Sequence, residues 1–320
     1  MEHESVLRED VQKYLELKSG DKVVDATLGL GGHSLDILKK IGKSGKLYVF
    51  EQDERNLKEA KNRLKEYENQ IVYFSNNFRY LKTRITDKGV SEIDAILFDL
   101  GLSSPHVDEA DRGFSFMKDG PLDMRYDQRS PLTAADVLNT YSEDDLANIF
   151  FKYGEERMGK RVARKICEDR AKEPFVSTVK FAKFLERILP SKNKKKHPAT
   201  QIFQALRMEV NDEMTVLQEA LGQAVEMLKV GGRIVVISYH SIEDRLVKQF
   251  FKTLLLPTAS PQEQIYRAHG DPMVQALTKK PAIPSGKEIQ TNPRSRSAKL
   301  RAYKILIPIK TYVSTDPLTW

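Results

Sequence analysis

Near the start of the chain, Val23-Val24-Asp25-Ala26-Thr27-Leu28-Gly29-Leu30-Gly31-Gly32-His33-Ser34 runs into Leu35, Ile37, Leu38 and Ile41 at helical spacing. Two β-branched residues closing on an acid, three glycines, and then a helical stripe read as strand, tight turn and helix. The glycines let the backbone adopt positive φ and lie against a ligand with no Cβ in the way. One helix later Lys46-Leu47-Tyr48-Val49-Phe50-Glu51 reads as a second buried strand ending in a carboxylate. An acid about 20 residues beyond a glycine-rich βα turn is the usual acceptor for a ribose hydroxyl pair. This chain is therefore expected to build an α/β sheet around a nucleoside-binding crevice.

Three cofactor classes compete for such a turn. A phosphate-binding loop needs Gly-Lys-Ser/Thr, which does not follow the glycines. A dinucleotide fold needs a third small residue where this chain has Ser34, a poor fit that leaves a nicotinamide oxidoreductase as the rival enzyme. Asp25-x-x-x-Gly29-x-Gly31, with the acid closing the first strand, is the pattern of S-adenosylmethionine-dependent methyltransferases, and that cofactor is preferred.

Further strands are expected at Gln70–Phe74, Ile93–Asp99, Gly232–Ser238, Ala276–Ile283 and Leu300–Ile307, and a brace helix within Ser5–Leu17. Asp53 is placed to cap the helix after Glu51. Phe78 follows the third strand, where an adenine needs an apolar face; core packing is the equal alternative. Asp99 ends a nearly continuous apolar strand, over the same crevice as Gly31 and Glu51. The next main strand starts roughly 130 residues later, whereas a crossover needs only about a dozen, so a domain is inserted.

The insertion holds two clusters of basic residues. A helix read as Glu155–Ala171 puts Arg157, Lys160, Arg161, Arg164 and Lys165 on one face, with Glu155 and Glu156 favouring its N-terminus. A loop adds Lys194, Lys195 and Lys196. Either run alone is an ordinary solvated face; two beside a cofactor crevice, in a chain of net charge +7, point to nucleic acid. His240, Glu243 and Asp244 share one turn and read as capping and ion-pairing groups, so no metal is expected. A single cysteine, Cys167, excludes a disulfide framework. Met1-Glu2-His3-Glu4 opens no signal peptide and no apolar run is long enough to span a membrane, so a cytoplasmic protein is expected.

Long strings of this chain resemble the bacterial ribosomal RNA small-subunit methyltransferase H (MraW) family. They include Gly29-Leu30-Gly31-Gly32-His33, Asp99-Leu100-Gly101-Leu102-Ser103-Ser104-Pro105, Arg112-Gly113-Phe114-Ser115-Phe116-Met117, Gly120-Pro121-Leu122-Asp123-Met124-Arg125, Phe203-Gln204-Ala205-Leu206-Arg207 and His240-Ser241-Ile242-Glu243-Asp244-Arg245. The resemblance covers nearly the whole chain. It implies a Rossmann-like class I methyltransferase sheet from residues 1–106 and 214–320, with residues 107–213 as an inserted, mainly helical RNA-recognition domain. It implies S-adenosyl-L-methionine contacts from Gly31, Gly32, His33, Glu51, Phe78, Asp99 and His106, and methylation of a cytidine N4 with Asp99 as the catalytic candidate. Glu51 stands where aspartate is commonest, His106 where glutamine is frequent, and Tyr239 where phenylalanine is usual. The implied partner is 16S ribosomal RNA of the small ribosomal subunit, with no membrane and no DNA; a homodimer is left open. The rival from another class is a non-catalytic RNA-binding factor with a nucleoside-binding domain, against which the intact Asp25, Gly31, Glu51 and Asp99 argue.

Overall fold

Residues 5–189, 197–255 and 272–310 are described by the computed structural model. The chain divides into two units, one built from the chain up to Gly101 and again from Thr215 on, the other from Leu102–Met214.

The first unit is a seven-stranded sheet in the order β3-β2-β1-β4-β5-β7-β6. Its strands are β1 (Lys22–Asp25), β2 (Lys46–Phe50), β3 (Ile71–Phe74), β4 (Ile93–Asp99), β5 (Leu228–Ser238), β6 (Val274–Ala276) and β7 (Lys299–Ile305). The pairs among β1 to β5 are parallel, whereas β7 runs antiparallel to both β5 and β6. Val23, Val49, Leu97 and Val235 face one core with Val11 and Leu15 of helix α1 (Arg8–Leu15), Ile37 and Ile41 of α2 (Gly32–Ile41), and Leu57 and Ala60 of α3 (Glu54–Arg63). Their alternates Val24, Tyr48, Ile96, Phe98 and Val236 are buried as well. Burial of both faces is why these strands read as unbroken apolar runs. Each such side chain contributes roughly 1.5–3 kcal/mol on leaving water. The strand order reverses between β1 and β4, and in open α/β sheets that switch point is where a crevice opens at the strands' carboxyl ends.

The expected strand Ala276–Ile283 is corrected. Strand β6 ends at Ala276, the Thr278 hydroxyl accepts the Ala302 amide at 3.1 Å, and only Ala282 rejoins the sheet, bridging Leu300. Pro281 has no N–H to offer a ladder.

In the second unit the helices Ala134–Thr140, Glu143–Lys152, Gly159–Arg170, Thr178–Ile188 and Ala199–Val210 share a core that includes Leu138, Phe150, Ile166, Phe181 and Leu206. Ser142 caps its helix by accepting the Asp145 amide at 3.1 Å. The aromatic- and glycine-rich opening is a knot around Arg112, which is 1% exposed. The Arg112 guanidinium donates to the carbonyls of Arg125 at 2.9 Å and Tyr126 at 3.2 Å. Gly113 has φ +72°, and a Cβ there would collide with the Pro121 carbonyl.

The basic helix also differs from expectation. It begins at Gly159, because Glu155 takes a left-handed conformation (φ 51°) and Glu156 turns its carboxylate back to accept the Met158 amide at 2.8 Å. Arg157 therefore lies in the turn before the helix, and neither glutamate sits in its first turn. Lys160, Arg161 and Arg164 are exposed on it, while Lys165 pairs with Glu168 at 2.5 Å.

Candidate active site

The glycine turn is pinned from below by Asp25. One of its oxygens accepts the Thr27 amide at 3.1 Å and the other the Ser34 hydroxyl at 2.7 Å, which fastens the end of β1 to the first turn of α2. The residue is 1% exposed, and burial raises its carboxyl to about 6 despite those two bonds. Asp25 therefore braces the turn from within the core. Above it, Gly31 (φ +78°) is the N-cap of α2 with no side-chain cap, so the helix presents main-chain N–H groups and the positive end of its dipole. At Gly31 a Cβ would press on Leu64, and at Gly32 it would strike the Ser5 hydroxyl.

Glu51, just past β2, reaches back over this turn. Its Oε2 accepts the Gly29 amide at 3.0 Å and its Oε1 the Asp53 amide at 2.8 Å. The Asn56 side chain donates a further hydrogen bond to this carboxylate. Burial first, and the neighbouring Asp53 charge, push its carboxyl up to about 8 against the stabilising amides. Asp53 accepts the Arg55 and Asn56 amides at 2.8 and 3.4 Å and so caps α3. Phe78 stands edge-on to Phe98 of β4, ring centroids 5.7 Å apart. It is only partly buried, and beside it the Asn77 amide donates to Gln52 at 3.0 Å.

Asp99 closes β4. Its amide donates to the Thr27 hydroxyl at 2.6 Å, its Oδ1 accepts the Tyr239 hydroxyl at 2.8 Å, and its Oδ2 lies 3.6 Å from Nε2 of His33. Burial raises its carboxyl to about 7; the Tyr239 bond opposes that rise, and the charges of Asp25 and Glu243 add to it. Tyr239 follows β5 directly. Its amide donates to Oε2 of Glu243 at 2.7 Å, and Oε1 of Glu243 meets Nε2 of His240 at 3.1 Å. Asp244 pairs with Arg301 at 2.7 Å, holding the helix Ser241–Leu255 to β7.

The first unit thus gathers Gly31, Gly32, His33, Glu51, Phe78 and Asp99 around the carboxyl ends of β1, β2 and β4. His106 belongs to the second unit, where its ring is buried beside Phe114 and Tyr126 at 5.0 and 5.1 Å and its Nδ1 meets the Ser103 hydroxyl at 3.0 Å. Lys194, Lys195 and Lys196 lie outside the described residues. Two contributors escape sequence reasoning: the Thr27 hydroxyl under Asp99 and the Tyr239 hydroxyl on its carboxylate. The departure from phenylalanine at 239 is the signal for the second; Thr27 gives none beyond its place in the turn. Among the described residues no helix is long and apolar enough to cross a membrane.

The model of a family described as the MraW methylase family matches residues 1–306. A protein of Streptococcus dysgalactiae subsp. equisimilis named ribosomal RNA small subunit methyltransferase H is 46% identical over 94% of this chain and 97% of its own length. Among solved structures, an rRNA methylase from Streptococcus thermophilus aligns over 94% of both chains at 13% identity with a TM-score of 0.41. A SAM-dependent O-methyltransferase from Thermotoga maritima aligns over 94% of this chain and 64% of its own, at 10% identity and a TM-score of 0.40.

Proposed function

The chain belongs to the MraW methylase family, and we propose that it transfers a methyl group from S-adenosyl-L-methionine to the exocyclic N4 of a cytidine in the 16S RNA of the small ribosomal subunit. The observation that carries this reading is Asp99 at the end of β4, its backbone anchored by Thr27 and its carboxylate held by Tyr239. The name of the 46% identical relative supports ribosomal RNA as the substrate class.

The residues present fit the cofactor. Bare backbone at Gly29–Gly32 and uncapped amides at the start of α2 suit close approach by a zwitterionic ligand. Glu51 supplies acceptors for a ribose diol, and the partly buried Phe78 supplies an apolar face for adenine. When bound, the cofactor supplies an electrophilic methyl group on a sulfonium that leaves as a neutral thioether.

The chain's own residues then have two tasks. The first is to hold the amine in line with that methyl, since positioning accounts for much of the rate in such displacements. Attack by the amine lone pair on that methyl would leave the nitrogen positively charged. The second task falls to Asp99. Its Oδ2 faces that developing charge, accepts the amine proton and releases it to water, which the side chain reaches through its 24% exposure. A carboxyl titrating near 7 is matched to accepting and releasing a proton at neutral pH. The cytosine must leave its stack to reach this crevice, which favours a loop or distorted site in the RNA. Arg157, Lys160, Arg161, Arg164 and Lys165 are assigned to the RNA phosphates.

The test is mass spectrometry of small-subunit RNA from cells with and without the gene, paired with transfer of labelled methyl by the purified protein. One cytidine N4-methyl disappears with the gene and returns with the wild-type copy but not with Asp99→Ala. RNA with identical methylation in both cells refutes the assignment.

A further inference from the structure

The Asp99 carboxylate needs a defined rotamer if one oxygen is to meet the amine, and its own strand does not provide one. The Asp99 amide is anchored on Thr27, but that bond fixes the backbone only. On the side chain, Oδ2 has His33 at 3.6 Å, beyond good hydrogen-bond length, whereas Oδ1 accepts a 2.8 Å bond from Tyr239. We propose that Tyr239 is the positioning residue for methyl transfer: its hydroxyl engages Oδ1 of Asp99 and thereby presents Oδ2 to the cytosine amine. The inference rests on the role given to Asp99 above.

The tyrosine is itself held on three sides. Its ring lies on the bare backbone of Gly101, where a Cβ would come within 3.0 Å of Cδ2, and Gly101 has φ +102°, a conformation open to glycine. Its amide and that of His240 both donate to Oε2 of Glu243, at 2.7 and 3.2 Å, and Glu243 is 2% exposed. The strand ends are in register, with Asp99 opposite Ile237 and the Leu100 amide donating to the Ile237 carbonyl at 3.0 Å. A hydroxyl on a ring clamped this way has little freedom. The bond it donates costs little ordering when the amine arrives, which is what preorganisation requires.

The same bond shapes how Asp99 titrates. The groups facing its carboxyl are His33 from α2, Asp25 from the end of β1, and Tyr239 and Glu243 from the segment after β5. Burial and the two acids favour the protonated form, and the Tyr239 hydroxyl favours the carboxylate. Loss of the hydroxyl therefore moves the carboxyl to higher pH.

Tyr239→Phe keeps the ring on Gly101 and removes only the oxygen. Two readouts are taken beside Asp99→Asn, which identifies the Asp99 signal. Difference infrared spectroscopy follows the Asp99 carboxyl against pH without any substrate. Single-turnover methylation at saturating cofactor and RNA is measured across the same range. Tyr239→Phe is expected to raise the carboxyl midpoint, to shift the acidic limb of the rate profile upward with it, and to lower the plateau rate about tenfold, with cofactor affinity unchanged. A midpoint or a plateau rate equal to that of the parent overturns the proposal, as does a variant that loses only thermal stability. If the parent itself methylates no cytidine, the functional reading fails, and the infrared midpoint alone decides whether Tyr239 governs Asp99.

Discussion

Glu51 makes cofactor binding depend on pH in a direction that can be worked out beforehand. Its carboxyl is held at about 8, well above the usual 4.5, because it is largely removed from water just past β2, with the Asp53 charge beside it. In the free protein at pH 7 only about one molecule in ten carries the ionised form, a cost of about 1.4 kcal/mol against full ionisation. Ribose hydroxyls donate hydrogen bonds, and a carboxylate accepts them more strongly than a carboxylic acid. Binding therefore expels the proton. Affinity for S-adenosylhomocysteine should tighten about tenfold per pH unit from pH 6 to pH 8 and level off above that. Calorimetry in buffers of different ionisation enthalpy should register nearly one proton released at pH 7. Glu51→Gln should abolish that release and weaken binding above pH 8 by roughly 1.5–3 kcal/mol, the worth of hydrogen bonds to a charged group. Because Asp99 titrates nearby, at about 7, the series is repeated in Asp99→Asn, where the slope should persist. Affinity that stays flat from pH 6 to 9, or a slope retained in Glu51→Gln, refutes the reasoning.

Asp25 predicts the stability of the free protein in acid: its folded carboxyl titrates at about 6 against 3.8 ordinarily, so its stabilisation is complete below pH 4 and lost as pH rises to 6. Thermal melts should show Asp25→Asn removing about 3 kcal/mol of that pH dependence, and an unaltered slope would contradict the burial argument. Replacing Lys160, Arg161 and Arg164 with glutamine should weaken RNA binding and make its salt dependence shallower by about 2 to 3 in log–log slope, leaving cofactor affinity intact. Arg157→Gln, off the helix, should be tested separately; unchanged RNA affinity and slope in both variants would reduce the basic surface to a solvated face.

The sequence was most legible where period and turn chemistry agree. Asp25, the glycines and Glu51 could be placed because a strand that ends in an acid and meets a glycine turn has few ways to continue. The parallel strands announced themselves by burial on both faces. The helix start at Gly159 was hidden, because Glu155 carries the left-handed turn that glycine or asparagine normally signals. The sixth strand was over-read because apolar residues flank Pro281 without a ladder to join. The string Arg112-Gly113-Phe114 gives no sign in the sequence that it encloses its own buried guanidinium. In the crevice, side chains were assignable by position at strand ends, but not their partners: a hydroxyl from residue 239 meeting a carboxylate from residue 99 depends on β4 and β5 lying side by side.

That adjacency has a consequence for how the protein is made. Strand β4 gains its second neighbour only when residues 228–238 exist, roughly 130 residues after β4 is complete. At about 5–20 residues per second, a ribosome leaves that edge open for on the order of ten seconds. Closing so long a loop adds only about 1.6 kcal/mol of entropy over one of about 20 residues, so the native state bears the insertion easily. The nascent chain bears it less well. For those seconds the run Ile93–Phe98, apolar and with unpaired N–H and C=O groups along one side, is a template for any passing strand. The insertion that brings the basic helix into this protein thus also sets how long that strand edge stays open during synthesis.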